Sequence, residues 1–199
     1  MATKSTILDV FEKNQYDLAT ASKKSRSWFE QEVSKLTRQS ITPQKVLRGA
    51  PDDLVNKIRP GFLYMYGYDP KTKADLPYYD RFPLVFPFRA TADGFYGLNM
   101  HYLPYHFRIQ LLDRLMTFAS NKRMDETTRL KYSWATIDGV SKFAAVKPCV
   151  KQYLYGHVKT QFRQIDADNW ATAMLLPVER FVGATKPEVW SESTRIMRK

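Results

Sequence analysis

The sequence predicts an α+β fold: a small curved antiparallel β-sheet or barrel over about residues 60–104, set between N-terminal and C-terminal helical segments. Three observations carry that expectation. Of the 28 aromatic residues in the 199-residue chain, 13 fall between Pro60 and Tyr105, together with 6 of the 11 prolines. Charge is distributed the other way. Residues 1–59 hold 11 basic and 7 acidic side chains (net +4), residues 60–104 hold 4 and 4, and residues 105–199 hold 16 and 9 (net +7). Turn dipeptides punctuate the middle, whereas apolar residues at helical spacing dominate the flanks. The chain therefore divides into a helical arm (1–59), an aromatic β-rich core (60–104) and a basic helical segment (105–199) packing on that core, as one compact domain.

In the first segment, Phe29, Val33 and Leu36, with Trp28 beside them, give Ser22 to Thr37 one apolar helical face. Ile7, Leu8, Phe11 and Leu18 fit a short docking helix or an arm that orders on a partner. Thr42-Pro43 and Gly49-Ala50-Pro51 interrupt the chain, and Leu54, Val55 and Ile58 add a short helical turn.

The middle segment reads as strands. Phe62 to Tyr66 is opened by Pro60-Gly61 and closed by the turn Gly67-Tyr68-Asp69-Pro70. Leu84 to Phe88 is a second strand, whose Pro87 lacks a ladder donor and belongs at an edge or a bulge. Ala92-Asp93-Gly94 is a hairpin signal leading to a returning strand, Phe95 to Met100. The long loop Lys71 to Phe82 contains Leu76-Pro77-Tyr78-Tyr79 and is apolar enough to pack across the sheet.

The last segment returns to helical spacing. Phe107, Leu111, Leu115 and Phe118 form a stripe over Tyr105 to Ala119. Leu130, Trp134, Ile137 and Val140 form another, which Lys147-Pro148 stops. From Cys149, the residues Val150, Tyr153, Leu154, His157, Val158 and Phe162 again fit a helix. Residues 170–176 fit either a strand joining the sheet or one more helical turn. Thr185-x-x-Glu188 is a capping-box pattern opening a final helix that ends in Arg195, Arg198 and Lys199.

Composition narrows the function classes. With 44% hydrophobic and 26% charged residues, the chain is globular in kind. No run approaches the ~20 apolar residues of a membrane span. The first residues lack the apolar stretch of a secretory signal. A single cysteine, Cys149, excludes an internal disulfide framework and fits a reducing cytoplasm. The net charge of +11, with a pI near 9.7, points to a polyanion or an acidic protein partner.

Catalytic patterns are wanting. His101 and His106 are five apart with Pro104 between them, and His157 falls on an apolar stripe, so neither arrangement reads as a metal site. Asp52 followed by Asp69-Pro70-Lys71 resembles the spacing of a magnesium nuclease, but both acids sit in turn sequences. No nucleophile elbow or phosphate-binding glycine loop occurs, and Cys149 reads as core. The expectation is no enzyme, no catalytic residue, no cofactor, no metal and no small-molecule ligand.

Binding candidates remain. Lys122, Arg123, Arg129, Lys131, Lys142, Lys147, Lys151, Lys159 and Arg163 recur along the last segment, where packing could collect them on one face. A merely solvated basic surface is the alternative. They suit either a polyanion or acidic protein neighbours, and the lack of aromatics interleaved with them favours the protein partner slightly. Tyr78, Tyr79, Phe82 and Tyr102 are candidate protein-contact aromatics.

Three stretches carry a resemblance. They are Pro60-Gly61-Phe62-Leu63-Tyr64 running to Tyr68-Asp69-Pro70-Lys71, then Leu76 to Val85, then Gly94 to Pro104, with a weaker echo in Ala171 to Phe181 and Val189-Trp190. Over residues 60–190 the chain resembles a family of small virion structural or assembly proteins of large contractile-tailed (myovirus) bacteriophages, of the DNA-end-protector or head-completion type. The resemblance implies a non-enzymatic subunit made in the host cytoplasm and placed in the virion at the neck, the DNA end or a baseplate. Its implied partners are other virion subunits in a symmetric ring and, at the first two positions, packaged DNA. The alternative is a sequence-independent nucleic-acid-binding protein, or a metal-dependent nuclease, acting in the infected cell.

Overall fold

The computed structural model describes residue 43, residues 54–119 and 144–197, and positions 128, 131, 135 and 137–139 between them. The expected helices at 7–18 and 22–37 lie outside these residues. Eight short strands and three helices have described bounds. The strands are β1 (Leu54–Val55), β2 (Leu63–Met65), β3 (Tyr79–Asp80), β4 (Leu84–Ala90), β5 (Gly94–Asn99), β6 (Val150–Leu154), β7 (Phe162–Ile165) and β8 (Phe181–Val182). The helices are α1 (Tyr105–Ala119), α2 (Trp170–Leu175) and α3 (Lys186–Met197).

Six strands form one antiparallel sheet in the order β1-β7-β2-β4-β5-β6, and β3 pairs with β8 in a separate ribbon. The fold is α+β as expected, but the sheet is open, with β1 and β6 as its edges, and no barrel closes. It is nevertheless strongly curled. Phe95 on β5 and Phe162 on β7 bring their rings to 6.3 Å, although β2 and β4 lie between their strands. Three flat strand spacings would hold them about 14 Å apart. The curl gathers Phe62, Tyr64, Tyr66, Tyr68, Phe95, Tyr153 and Phe162 into an aromatic cluster on one face.

The other face carries the larger core. Leu63, Met65, Leu84, Phe86 and Leu98 from the sheet share it with Leu111, Leu112 and Leu115 of α1 and with Ala173, Met174 and Leu175 of α2. Both faces of β4 are therefore covered, which is why Leu84 to Phe88 is buried at every position. Pro87 sits in this central strand at a register shift between Pro87 and Arg89, so the bulge, not an edge, accommodates its missing donor.

The Ala92-Asp93-Gly94 signal turns the β4–β5 hairpin, with the Thr91 amide donating to the Gly94 carbonyl at 2.9 Å. The stripe at 105–119 is the helix α1. Glu188 caps α3 by accepting from both the amide and the hydroxyl of Thr185 at 2.7 Å. The long loop divides: residues 71–77 are exposed, whereas Tyr78, Tyr79, Asp80 and Phe82 are half-buried or buried and Arg81 is exposed.

Three expectations are corrected. Leu54–Val55 is strand β1, because its backbone pairs with Phe162 and Arg163 of β7. The helical stripe from Val150 to Phe162 is two strands, β6 and β7, joined by a 3-10 turn at Tyr155–His157. Val150 to Leu154 pairs residue by residue with Leu98 to Gly94 of β5, and that ladder outweighs an apolar spacing that also fits a helix. His157 consequently lies in the turn, its Nδ1 2.9 Å from the Asp69 carbonyl, and on no helix. At residues 170–176, where strand and helix both fitted the sequence, the helical alternative holds: Trp170–Leu175 is a helix, fixed where the Trp170 indole donates to the Ile165 carbonyl at 2.8 Å.

Candidate nucleic-acid interface

The β3–β8 ribbon is held down from beneath by two buried, hydrogen-bonded carboxyl groups, Asp80 and Glu179. Asp80, the last residue of β3, is buried and points inward, and Arg81, just past the strand, is exposed. The Asp80 carboxylate lies 2.7 Å from His101 Nδ1 and accepts from Asn99 Nδ2 at 3.1 Å and from the Phe82 amide at 3.1 Å. Asn99 also donates to the Tyr153 hydroxyl at 3.0 Å, and its Oδ1 accepts the His101 amide at 3.0 Å. Asp80, Asn99 and His101 are all buried.

The same arrangement recurs one strand away. Glu179 is buried and accepts from Arg108 Nη2 at 2.8 Å, and the next residue, Arg180, is exposed. Arg108 itself is wholly buried. It donates to the carbonyls of Leu103 (2.7 Å), Met174 (2.9 Å) and His101 (3.1 Å). Burial pushes the Glu179 carboxyl up, but Arg108, with His101 and Lys186 behind it, outweighs burial and holds it below the ordinary carboxylate value. The His101 carbonyl also accepts the Trp190 indole at 2.8 Å, and the Tyr78 hydroxyl donates to Glu192 at 2.9 Å, tying α3 to the ribbon.

Above these anchors the outer side is basic. The pairing of Asp80 with Phe181 places Arg81 opposite Arg180, and the Arg81 amide donates to the Arg180 carbonyl at 2.8 Å. Both guanidinium side chains are exposed. Beside them the Asp69 loop brings Lys71 and Lys73, and Lys159 follows the turn that carries His157. Lys73 Nζ donates to both Asp69 oxygens at 3.0 and 3.1 Å. That hydrogen bond, helped by Lys159 and His157, holds the Asp69 carboxyl below its ordinary value.

Of the nine residues expected as basic contacts, five fall among the described residues. Lys122, Arg123, Arg129 and Lys142 lie outside the described residues. Lys131, Lys147 and Lys159 are exposed. Lys151 sits 4.1 Å from the Tyr102 ring centre, and burial pulls its pKa down. Arg163 is buried in β7, opposite Leu54 and Met65. Among the candidate aromatics, Tyr78, Tyr79 and Phe82 are half-buried. Tyr102 is buried, its ring 6.0 Å from that of Tyr78 and 5.2 Å from that of Phe181.

Arg81 and Arg180 were not singled out from the sequence. Their signal is the repeated dipeptide Asp80-Arg81 and Glu179-Arg180, an inward acid followed by an outward base, and it becomes visible only once both are known to flank the paired strands β3 and β8.

The nuclease spacing falls only partly among the described residues. Asp52 lies outside the described residues, and Asp69 is engaged by Lys73 in an exposed loop. Among the described residues, no three His, Cys, Asp or Glu side chains converge as metal ligands. Cys149 is buried and donates to the Val146 carbonyl at 2.9 Å, with burial pushing its thiol up to about 12.

Fold and surface together define a basic α+β protein with an exposed cationic ribbon set over buried counter-charges. Residues 6–196 match the family described as the phage T4 terminal DNA protecting protein, and the chain belongs to that family. The resemblance read from residues 60–190 is thereby confirmed and extended over most of the chain. It is a phage protein of the structural, DNA-protecting kind, and its place is the virion or the infected cell. No curated protein and no solved structure matches it. Among the described residues, no helix is long and apolar enough to cross a membrane.

Proposed function

We propose that this protein is a non-enzymatic component of the phage particle that binds the ends of the packaged DNA and shields them. The observation that carries this reading is the family match over residues 6–196 in a chain of net charge +11. Cations bound along a duplex release condensed counterions, a sequence-independent source of affinity suited to an end that is protected whatever its sequence. Of the neck, the baseplate and the DNA end, only the last gives both the family's activity and the basic surface a use. A few copies arranged around each end would satisfy the closed symmetry usual in such assemblies.

The test compares exonuclease digestion of a blunt-ended linear duplex with and without the full-length protein, using closed circles as competitors. Longer survival of the linear duplex, relieved by short linear competitors far more than by an equal mass of circles, is the expected result. Mass spectrometry of purified virions should find the protein at a fixed copy number. Unchanged digestion, or absence from the particle, would refute the reading. Weak DNA binding by free protein that still enters particles would assign its cations to acidic protein neighbours instead.

A further inference from the structure

We propose that the β3–β8 ribbon is a phosphate clamp for duplex DNA, in which Arg81 and Arg180 together hold the sugar–phosphate backbone. This rests on the DNA-end reading and names the part of the surface that would make the contact. Directly opposed residues in an antiparallel pair have Cβ atoms about 5 Å apart, and like charges placed there destabilise the ribbon. Neither arginine has a carboxylate partner among the described residues. Arg180 Nη1 reaches only the Glu179 carbonyl, at 2.9 Å, and no ion pair engages Arg81. A bound phosphate relieves that repulsion, and the guanidinium fork matches its oxygens through paired hydrogen bonds.

The scaffold beneath is the second argument. Solvated charges that merely guard a ribbon edge against aggregation require exposure and nothing more. Here each arginine directly follows a buried carboxylate locked to a partner, Asp80 to His101 at 2.7 Å and Glu179 to Arg108 at 2.8 Å. Two buried, hydrogen-bonded carboxyl groups thus fix the backbone from which the two arginines project, and a ligand finds them already placed. Lys73 beside Arg81 is paired with Asp69, and Lys159, across the Asp69 turn and exposed, extends the positive surface beyond the pair. Tyr79 and Arg81 flank the inward-pointing Asp80; Tyr79 is half-buried, and its neighbour across the ribbon, Val182, is 40% exposed, an apolar floor suited to deoxyribose.

The experiment measures binding of a fluorescent blunt-ended duplex by the full chain between 50 and 200 mM salt, for wild type, Arg81→Gln, Arg180→Gln, the double variant and Arg81→Glu. Each arginine removed should lower the log–log salt slope by about 0.9, so that affinity falls about 3.5-fold less across that fourfold salt range. The loss should be equal for unrelated sequences, since phosphates carry no base information. Thermal midpoints should hold or rise in the Gln variants. Arg81→Glu should rise in midpoint while binding DNA weakest, because it turns the repulsion into an ion pair. An unchanged slope in the double variant overturns the clamp, with or without aggregation, and leaves DNA-end binding standing elsewhere on the molecule. A fall in thermal midpoint with unchanged slope shows the pair to be structural and overturns it too. A wild-type protein that binds no duplex overturns the DNA-end reading itself.

Discussion

Arg108 is the residue whose environment is hardest to build. A guanidinium with no exposure survives in a protein interior only if its donors are matched and its charge is balanced. Three backbone carbonyls and the Glu179 carboxylate do both, with the rings of Tyr105 and Trp190 at 4.7 and 5.3 Å. Glu179→Gln would leave that cation unbalanced and should destabilise the protein by about 3–5 kcal/mol, read from urea midpoints. The pH dependence has a definite sign. A carboxyl held below its ordinary value of 4.5 in the folded state stabilises fully above that value and loses the contribution as pH falls through the folded one. The urea midpoint should accordingly change little between pH 7 and about 5 and drop below about 4.5, with the part due to this group missing in Glu179→Gln. None of this was legible in the sequence. Arg108 falls beside the apolar stripe of α1, 71 positions from Glu179, and no local pattern links them.

At the level of elements, legibility followed the sequence distance of the partner. The β4–β5 hairpin and α1 were readable because a turn signal and a helical stripe are local. Strands β6 and β7 were not, since β6 pairs with residues more than 50 positions earlier and its apolar spacing fits a helix equally well. Gly156, in the middle of that stripe, was the one local sign against a helix. The β5–β6 contact itself depends on glycine. A Cβ at Gly94 would collide with the Tyr153 carbonyl of β6, and one at Gly97 with Val85 Cγ1, with the Phe86 carbonyl at 3.1 Å. Backbone cannot yield without parting the ladder. Gly94→Ala should therefore cost at least the 1–3 kcal/mol usual for overpacking, about the same range or more. Hydrogen exchange of the β6 amides should quicken before that of α1. Equal exchange in the variant and the parent would show that the strand tolerates the extra carbon.

For the whole molecule, the sequence placed charge and aromatics correctly in bulk but not in detail. The neutral, aromatic middle supplies the concave cluster of the curled sheet, and most of its rings are buried. The cations it does carry include Arg81, which counting by segment hid inside a net charge of zero. The expected contacts were sought instead in the +7 segment. Two sets of cations can therefore be compared on one scale. If Lys122, Arg123, Arg129 and Lys131 also meet backbone phosphates, changing all four to Gln should flatten the salt slope by about 3.6, four contacts at about 0.9 each. Joined to the double change at Arg81 and Arg180, independent contacts should sum to a loss of about 5.4, as effects at sites without shared partners do. A six-fold variant that loses no more than the ribbon pair alone would confine the DNA contact to the ribbon. The basic C-terminal segment would then be left for acidic protein neighbours, where the four changes should block incorporation into particles without altering DNA affinity.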